Sequence, residues 1–407
     1  MVHLNHFFNM KVLFLSISTA ISDINNKGIY PDLLRKFASE GHEVYIVCPF
    51  ERRSNKKTAY TKNNNVHILG VQTFNLTKSN KIEKGIGTIL IEHQFKRAIK
   101  QYLNEIRFDL VLYSTPPITF YNVIKYLKEK CGAKTYLLLK DIFPQNAVDL
   151  GLISPKGFLH KYFRKKEKEL YEISDFIGCM SQANVDYLIK NNSFITKNKI
   201  EICPNSIEIT TKKTQDKTSI TIKYNIPNNI PICIYGGNFG IGQGIPFLIN
   251  VLESNINKGI YFLLIGNGTY YKKIKNWIST NQPTNVKLIK TLPKHEFETL
   301  ESICDIGLVF LDKRFTIPNF PSRILSYMNS QIPLLIASDT VSDLGSISRK
   351  NGFGFWCESG DLSKFNEYLN VLAENAELRK EMGNSSYNFL QNNYDVKYSY
   401  ETIIQHF

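Results

Sequence analysis

Two glycine-rich turns, one arginine in an unusual place and one aspartate at a strand end are the residues whose types and spacing could do chemistry. IYGGNFGIGQG (234–244) sets Gly236, Gly237, Asn238, Gln243 and Gly244 at the end of an apolar run, ahead of the helical pattern PFLINVLE. Glycines there let backbone N–H groups approach a diphosphate, and the helix N-terminus behind them adds partial positive charge. A tight turn that binds nothing has the same sequence, so the motif does not decide alone. IGNGTY (265–270) repeats the feature with Gly266 and Asn267. In NFPSRILSYMNSQIPLLIA (319–337), Pro321 and Ser322 lead into Arg323 at a helix start. The helix dipole disfavours a cation there, so an anionic ligand explains Arg323 better than stability does. Asp141 closes the apolar run TYLLLK, where residue type alone also fits an N-cap.

These residues follow predicted strands, and open α/β sheets bind ligands beyond the carboxyl ends of their strands. Short apolar runs alternate with helical patterns, the signature of a doubly wound α/β protein. KVLFLSIS (11–18), a strand within 31–50, FDLVLYSTPP (108–117), AKTYLLLKD (133–141), DFIGCMS (175–181) and KIEICPNS (199–206) make one Rossmann-like domain over 1–208, with 1–9 a disordered extension. Pro31 and Gly41 bracket the helix before the second strand. The polar stretch 209–230 is the predicted linker. Strands at 231–240, 259–268, 285–292, 305–312 and 332–339 build a second Rossmann-like domain over 231–385, and 386–407 is helical.

With 407 residues, 43% hydrophobic and 21% charged, the chain reads as globular and two-domain. Its net charge of +14 implies an anionic partner: nucleic acid, a membrane surface or a phosphorylated substrate. Nucleic acid is set aside because no reading motif occurs. The seven cysteines are scattered through apolar runs and read as buried hydrophobes in a reducing compartment. His42, His67, His93, His160 and His295 have no metal-ligand spacing and no Asp-x-Asp ends a strand, so no metal and no cofactor are expected. No apolar run is long enough to span a bilayer. Basic clusters at 51–57, 85–103 and 157–172 fall in the first domain; the last two, mixed with apolar residues at helical spacing, suit either anionic lipid or a solvated face.

NKGIYPDLLRKFASEGHEVYIV, LLKDIFPQNAVDLGLI (138–153), SDFIGCMSQANVDYLI, IEICPNSIEI and the glycine-rich and Arg323 segments occur in an order that resembles GT-B-fold retaining glycosyltransferases of family four. The likeness is greatest to the branch that builds O-antigen and capsule repeats with amino-deoxysugars. It implies two Rossmann-like domains facing a central cleft, with a C-terminal helix crossing back to the first. It further implies metal-independent transfer, with retention, of an N-acetylated or deoxy hexose from a nucleoside-diphosphate donor, UDP-linked, to a lipid-linked saccharide at the cytoplasmic face of the plasma membrane. On this reading Asp141 faces the transferred sugar or the acceptor hydroxyl. Gly28 lets backbone approach the donor or acceptor, though a simple turn fits it equally well. The nucleotide lies on the second domain, against the 236–244 loop, Gly266, Asn267, and the helix start with Pro321, Ser322, Arg323, Ser326 and Tyr327.

The departures from the family pattern are specific. Pro318 and Ser326 stand where many members carry two glutamates, the second a ribose ligand. A serine serves only one ribose hydroxyl well, and losing a charged contact costs about 1.5–3 kcal/mol of donor affinity. Asn238 and Gln243 replace the usual Arg and Lys of the loop, a pair familiar in the amino-deoxysugar branch. Arg323 thereby becomes the principal group to neutralise the leaving diphosphate, with catalytic Asp141 in the other domain. Lys290, Lys313 and Arg314 are reserve cations or solvated charges. Two rivals remain: a catalytically silent binding subunit, and a sugar-nucleotide epimerase of the same fold.

Overall fold

Apolar runs such as VLFL, LVLY and LLIA are hydrophobic on both faces, as strands covered on two sides by helices must be. A computed structural model describes residues 9–76, 81–210 and 216–407. The chain divides into one unit of residues 1–208 and 396–407 and a second of 209–395. Apart from Asn9, the expected N-terminal extension lies outside the described residues.

In the first unit the strands are β1 (Lys11–Leu15), β2 (Glu43–Glu51), β3 (Ala59–Asn63), β4 (Val66–Thr73), β5 (Leu110–Ser114), β6 (Lys134–Leu139), β7 (Phe176–Cys179) and β8 (Ile200–Ile202). Among the described residues they form one sheet in the order β3-β4-β2-β1-β5-β6-β7-β8, with only the β3–β4 pair antiparallel. Neither β3 nor β4 was foreseen. AYTKN in β3 is exposed throughout, so it carries no apolar alternation, and backbone pairing at the sheet edge makes it a strand.

The second unit holds β9 (Ile232–Asn238), β10 (Tyr261–Asn267), β11 (Val286–Ile289), β12 (Ile306–Phe310), β13 (Leu334–Ser338) and β14 (Gly354–Glu358). All pair in parallel, in the order β11-β10-β9-β12-β13-β14. The chain starts at β9, steps outward through β10 and β11, then returns to the other side of β9 with β12. The order reverses between β9 and β12, and the crevice at such a reversal is where open parallel sheets take ligands.

Two boundaries differ from expectation. The presumed linker 209–230 belongs to the second unit and contains the helix Lys217–Tyr224. Its Thr, Ser and Lys are indifferent helix formers. The helix is fixed by the Asp216 side chain, which accepts from Thr218 N–H at 3.0 Å, and by burial of Ile220. The C-terminal crossing begins at Val396 rather than 386, because the helix Ala376–Asn393 stays in the second unit and only Val396–Ile404 joins the first.

That last helix completes a core. Val396, Tyr400 and Ile403 pack with Phe37, Val12 and Phe14. Met10 N–H donates to His42 Nδ1 at 3.3 Å, which leaves Nε2–H to donate to Tyr400 Oη at 2.9 Å. Burial lowers the His42 pKa and keeps the ring neutral. Burying three such side chains contributes about 5–8 kcal/mol, comparable to the whole stability of a domain. Deleting residues 396–407 should therefore abolish cooperative folding of the first unit. Tyr400→Phe should cost only about 1 kcal/mol. Thermal unfolding by circular dichroism checks both, and a truncated protein that melts like the full chain would contradict this role.

Candidate functional site

The site is built where β9 ends. Its last residues are in register with β10, Gly237 opposite Gly266 and Asn238 opposite Asn267. A Cβ on Gly266 would lie 1.8 Å from the Gly237 carbonyl oxygen, so the two backbones touch only because the residue is glycine. The loop then turns into the helix Ile245–Ser254 through Gly244, whose φ of 55° is left-handed and whose Cβ would lie 2.9 Å from the Leu311 carbonyl oxygen. Asp312 N–H donates to the Gly242 carbonyl at 3.1 Å. The loops after β9 and β12, on either side of the reversal, are thus docked on each other.

Arg323 lies over this loop. Its guanidinium carbon sits 4.4 Å from the centroid of the Tyr235 ring, and its Cζ and Nη2 lie 3.7 Å from where a Gly237 Cβ would be. Nη2 donates to Gln243 Oε1. Nη1 is buried and has no hydrogen-bond partner among the described residues. A cationic donor held on an aromatic face, with one nitrogen desolvated and unpaired, costs the unliganded protein stability unless an anion meets it. The expected pairing of Arg323 with the glycine-rich loop is therefore present within this unit.

Tyr327 serves the site from behind. Gly236 N–H donates to its buried Oη at 2.8 Å, and burial raises the phenol pKa. The Phe297 ring occupies the space beside Gly236, 2.5 Å from where a Cβ would stand. Tyr327 thus holds the loop in place. Ser326, one turn beyond Arg323, donates from its hydroxyl to Glu301 Oε2 at 2.6 Å. Glu301 was missed in the sequence, where it sits unmarked in HEFETLESIC. Ser322 and Asn238 are exposed and Pro321 is half-buried at the loop rim, while Asn267 O accepts from Phe239 N–H at 2.9 Å.

The reserve cations are not gathered in. Lys290 is exposed beyond β11, two strands from β9. Lys313 Nζ lies near Gly360, 3.8 Å from where its Cβ would be. Arg314 grips Asp312 through two contacts of 2.8 Å. Pro318 is buried. Among the described residues no three of His, Cys, Asp and Glu cluster as metal ligands.

In the first unit, Asp141 follows β6. The N–H groups of Lys140 and Asp141 both donate to Thr115 Oγ1, at 3.0 and 3.1 Å, which aligns the turn. The N-cap alternative does not hold, because the next helix, Gln145–Asp149, starts later and has Pro144 at its cap. Desolvation pushes the Asp141 carboxyl up to about 6, and the hydroxyl of the nearby, partly buried Tyr30 up to about 12. Gly28 adopts φ 149°, and its N–H donates to Asp32 Oδ1 at 2.9 Å. That buried carboxylate also accepts from Glu208 N–H at 3.0 Å, so the Gly28 N–H is engaged within the unit.

Two doubly wound units, one with glycine-lined loops beneath Arg323 at its reversal point, define a two-domain α/β protein. Residues 32–211 match the family model for glycosyltransferase family 4, and residues 216–389 match that for glycosyl transferases group 1. The chain belongs to this group of GT-B glycosyltransferases. The probable glycosyltransferase WbjE of Pseudomonas aeruginosa is 22% identical over 300 residues, 71% of this chain and 72% of that one. Sucrose-phosphate synthase from Thermosynechococcus elongatus superposes with a TM-score of 0.76 at 14% identity, covering 98% of both chains. Anabaena HepE in complex with UDP and glucose gives 0.71 at 15% identity, covering 98% of this chain and 99% of that one.

Two outcomes follow from this geometry. Gly266→Ala should destabilise the second unit by about 3 kcal/mol, since backbone blocks the new methyl; an unchanged Tm would contradict the close approach. Asp141 has a folded pKa above its ordinary 3.8, so its folded form binds the proton more tightly. Stability should fall as pH rises from about 4 through about 6 and stay lower above. Asp141→Asn should accordingly gain about 1–2 kcal/mol at pH 8 and nothing at pH 3.5, measured by denaturant titration.

Proposed function

We propose that the second unit binds a UDP-sugar by its diphosphate and that the enzyme transfers an N-acetylated or deoxy hexose from it to a lipid-linked saccharide, in O-antigen or capsule assembly. The observation that carries this reading is the unpaired, buried Nη1 of Arg323 beside the Gly237 backbone. A planar guanidinium can grip two phosphate oxygens, and the loop amides ahead of the helix Ile245–Ser254 supply further donors. Anabaena HepE, of the same fold, is described in complex with UDP-glucose, which supports uridine as the base.

In the reaction, the bond between the sugar C1 and the diphosphate oxygen breaks and one from C1 to the acceptor oxygen forms. Charge develops on the departing diphosphate, where Arg323 stabilises it without a metal. The acceptor proton passes to the departing phosphate oxygen and configuration is retained. We assign Asp141 to the acceptor hydroxyl or the transferred sugar.

We place the protein at the cytoplasmic surface of a membrane, through its first unit. Among the described residues no helix is long and apolar enough to cross a bilayer. The helix Phe158–Ile173 begins with Phe158 82% and Leu159 55% exposed, beside Lys161 and Lys165, and Leu152 nearby in sequence is 56% exposed. Exposed apolar groups among lysines suit an anionic lipid surface.

Calorimetric titration with UDP-, GDP- and TDP-sugars tests the donor assignment. UDP-sugar should bind, and Arg323→Ala should weaken it about 10–100-fold. Equal affinity in the variant would refute the assignment. Donor binding with neither transfer nor hydrolysis would instead make the chain a silent binding subunit, and a new sugar nucleotide formed without acceptor would make it an epimerase.

A further inference from the structure

Glu301 ends the helix Lys294–Glu301 and is fully buried. One carboxyl oxygen accepts the Ser326 hydroxyl at 2.6 Å, and the other, Oε1, is buried with no hydrogen-bond partner among the described residues. Burial pushes this carboxyl up to about 7; Lys294 and Ser330 favour its ionised form, and Glu298 opposes it. An orphaned oxygen and a desolvated acid make Glu301 a cost to the stability of this unit. The residue nevertheless sits in the wall of the Arg323 site. Phe297 of the same helix fills the space beside Gly236, and Tyr327, next to Ser326, holds the Gly236 N–H.

We infer that Glu301 is a positioning residue for the nucleoside of the donor: by accepting the Ser326 O–H, it turns the serine oxygen into a fixed acceptor for a ribose hydroxyl. Ser326 lies about one helical turn, ~5 Å, from Arg323, the scale that separates the ribose hydroxyls of a nucleoside diphosphate from its phosphates. A free serine hydroxyl rotates and donates as readily as it accepts. Once its proton is committed to Glu301, it presents only lone pairs, and it discriminates ribose from deoxyribose. A carboxyl on a neighbouring helix thus does through serine part of what a carboxylate at position 326 would do directly.

This inference rests on the reading that the Arg323 site takes a nucleoside diphosphate, and one calorimetric experiment separates the two. UDP and 2′-deoxy-UDP are titrated into the full chain and into Glu301→Gln and Ser326→Ala, each checked for folding by its Tm. The full chain should prefer UDP about 10-fold, as one charge-assisted hydrogen bond allows. Ser326→Ala should remove the preference, and Glu301→Gln should cut it severalfold while 2′-deoxy-UDP binds as before. A merely structural role would weaken both nucleotides alike and leave their ratio intact. An unchanged ratio in Glu301→Gln, or no preference in the full chain, overturns this inference and leaves the donor reading standing. Failure of the full chain to bind UDP at all overturns both. Should Glu301→Gln not fold, an unchanged ratio in Ser326→Ala is by itself decisive against the inference.

Discussion

The site of this glycosyltransferase depends on a guanidinium that is held but not satisfied. Tyr235 supports the Arg323 plane from below, Gln243 takes one nitrogen, and the other faces no partner. Such a group is kept in place by its neighbours at a cost in stability, and an anion meeting it, as we propose for the donor diphosphate, would offset that cost. Every nearby constraint serves that arrangement. Gly237 lets the guanidinium approach backbone, Gly266 lets β10 close against Gly237, and Tyr327 pins Gly236 from the far side.

The topology explains why these parts meet. The strand order reverses between β9 and β12, so their two loops leave the sheet side by side. The contact from Asp312 N–H to the Gly242 carbonyl joins them, and the segment that follows Asp312 carries Arg323. In the first unit the equivalent order lies in the turn after β6, where Thr115 fixes the backbone of Lys140 and Asp141 and burial leaves the Asp141 carboxyl poised near neutrality.

Much of this was legible in the amino-acid sequence, for reasons that differ from element to element. Doubly buried strands announce themselves as apolar runs, so β1, β5, β9, β10 and β13 were readable. The exposed β3 carries no such pattern, and its pairing is decided by its neighbour. The helix Lys217–Tyr224 was hidden because its residues favour no state strongly, and tertiary burial of Ile220 chose for them. Arg323 stood out as a cation at a helix start, and its place over Gly237 depends on a strand order that only the fold supplies. Glu301 was invisible: a glutamate in a charged amphipathic helix looks solvated until its neighbours are known. The absence of a carboxylate at position 326 was plain, whereas its nearest substitute lies on another helix.

The most direct measurement is a crystal structure of the chain with UDP bound. It should place the diphosphate oxygens within hydrogen-bond distance of Arg323 Nη1 and of backbone N–H groups between residues 237 and 244. Density for UDP elsewhere on the chain, with Arg323 Nη1 still unpaired, would contradict the account.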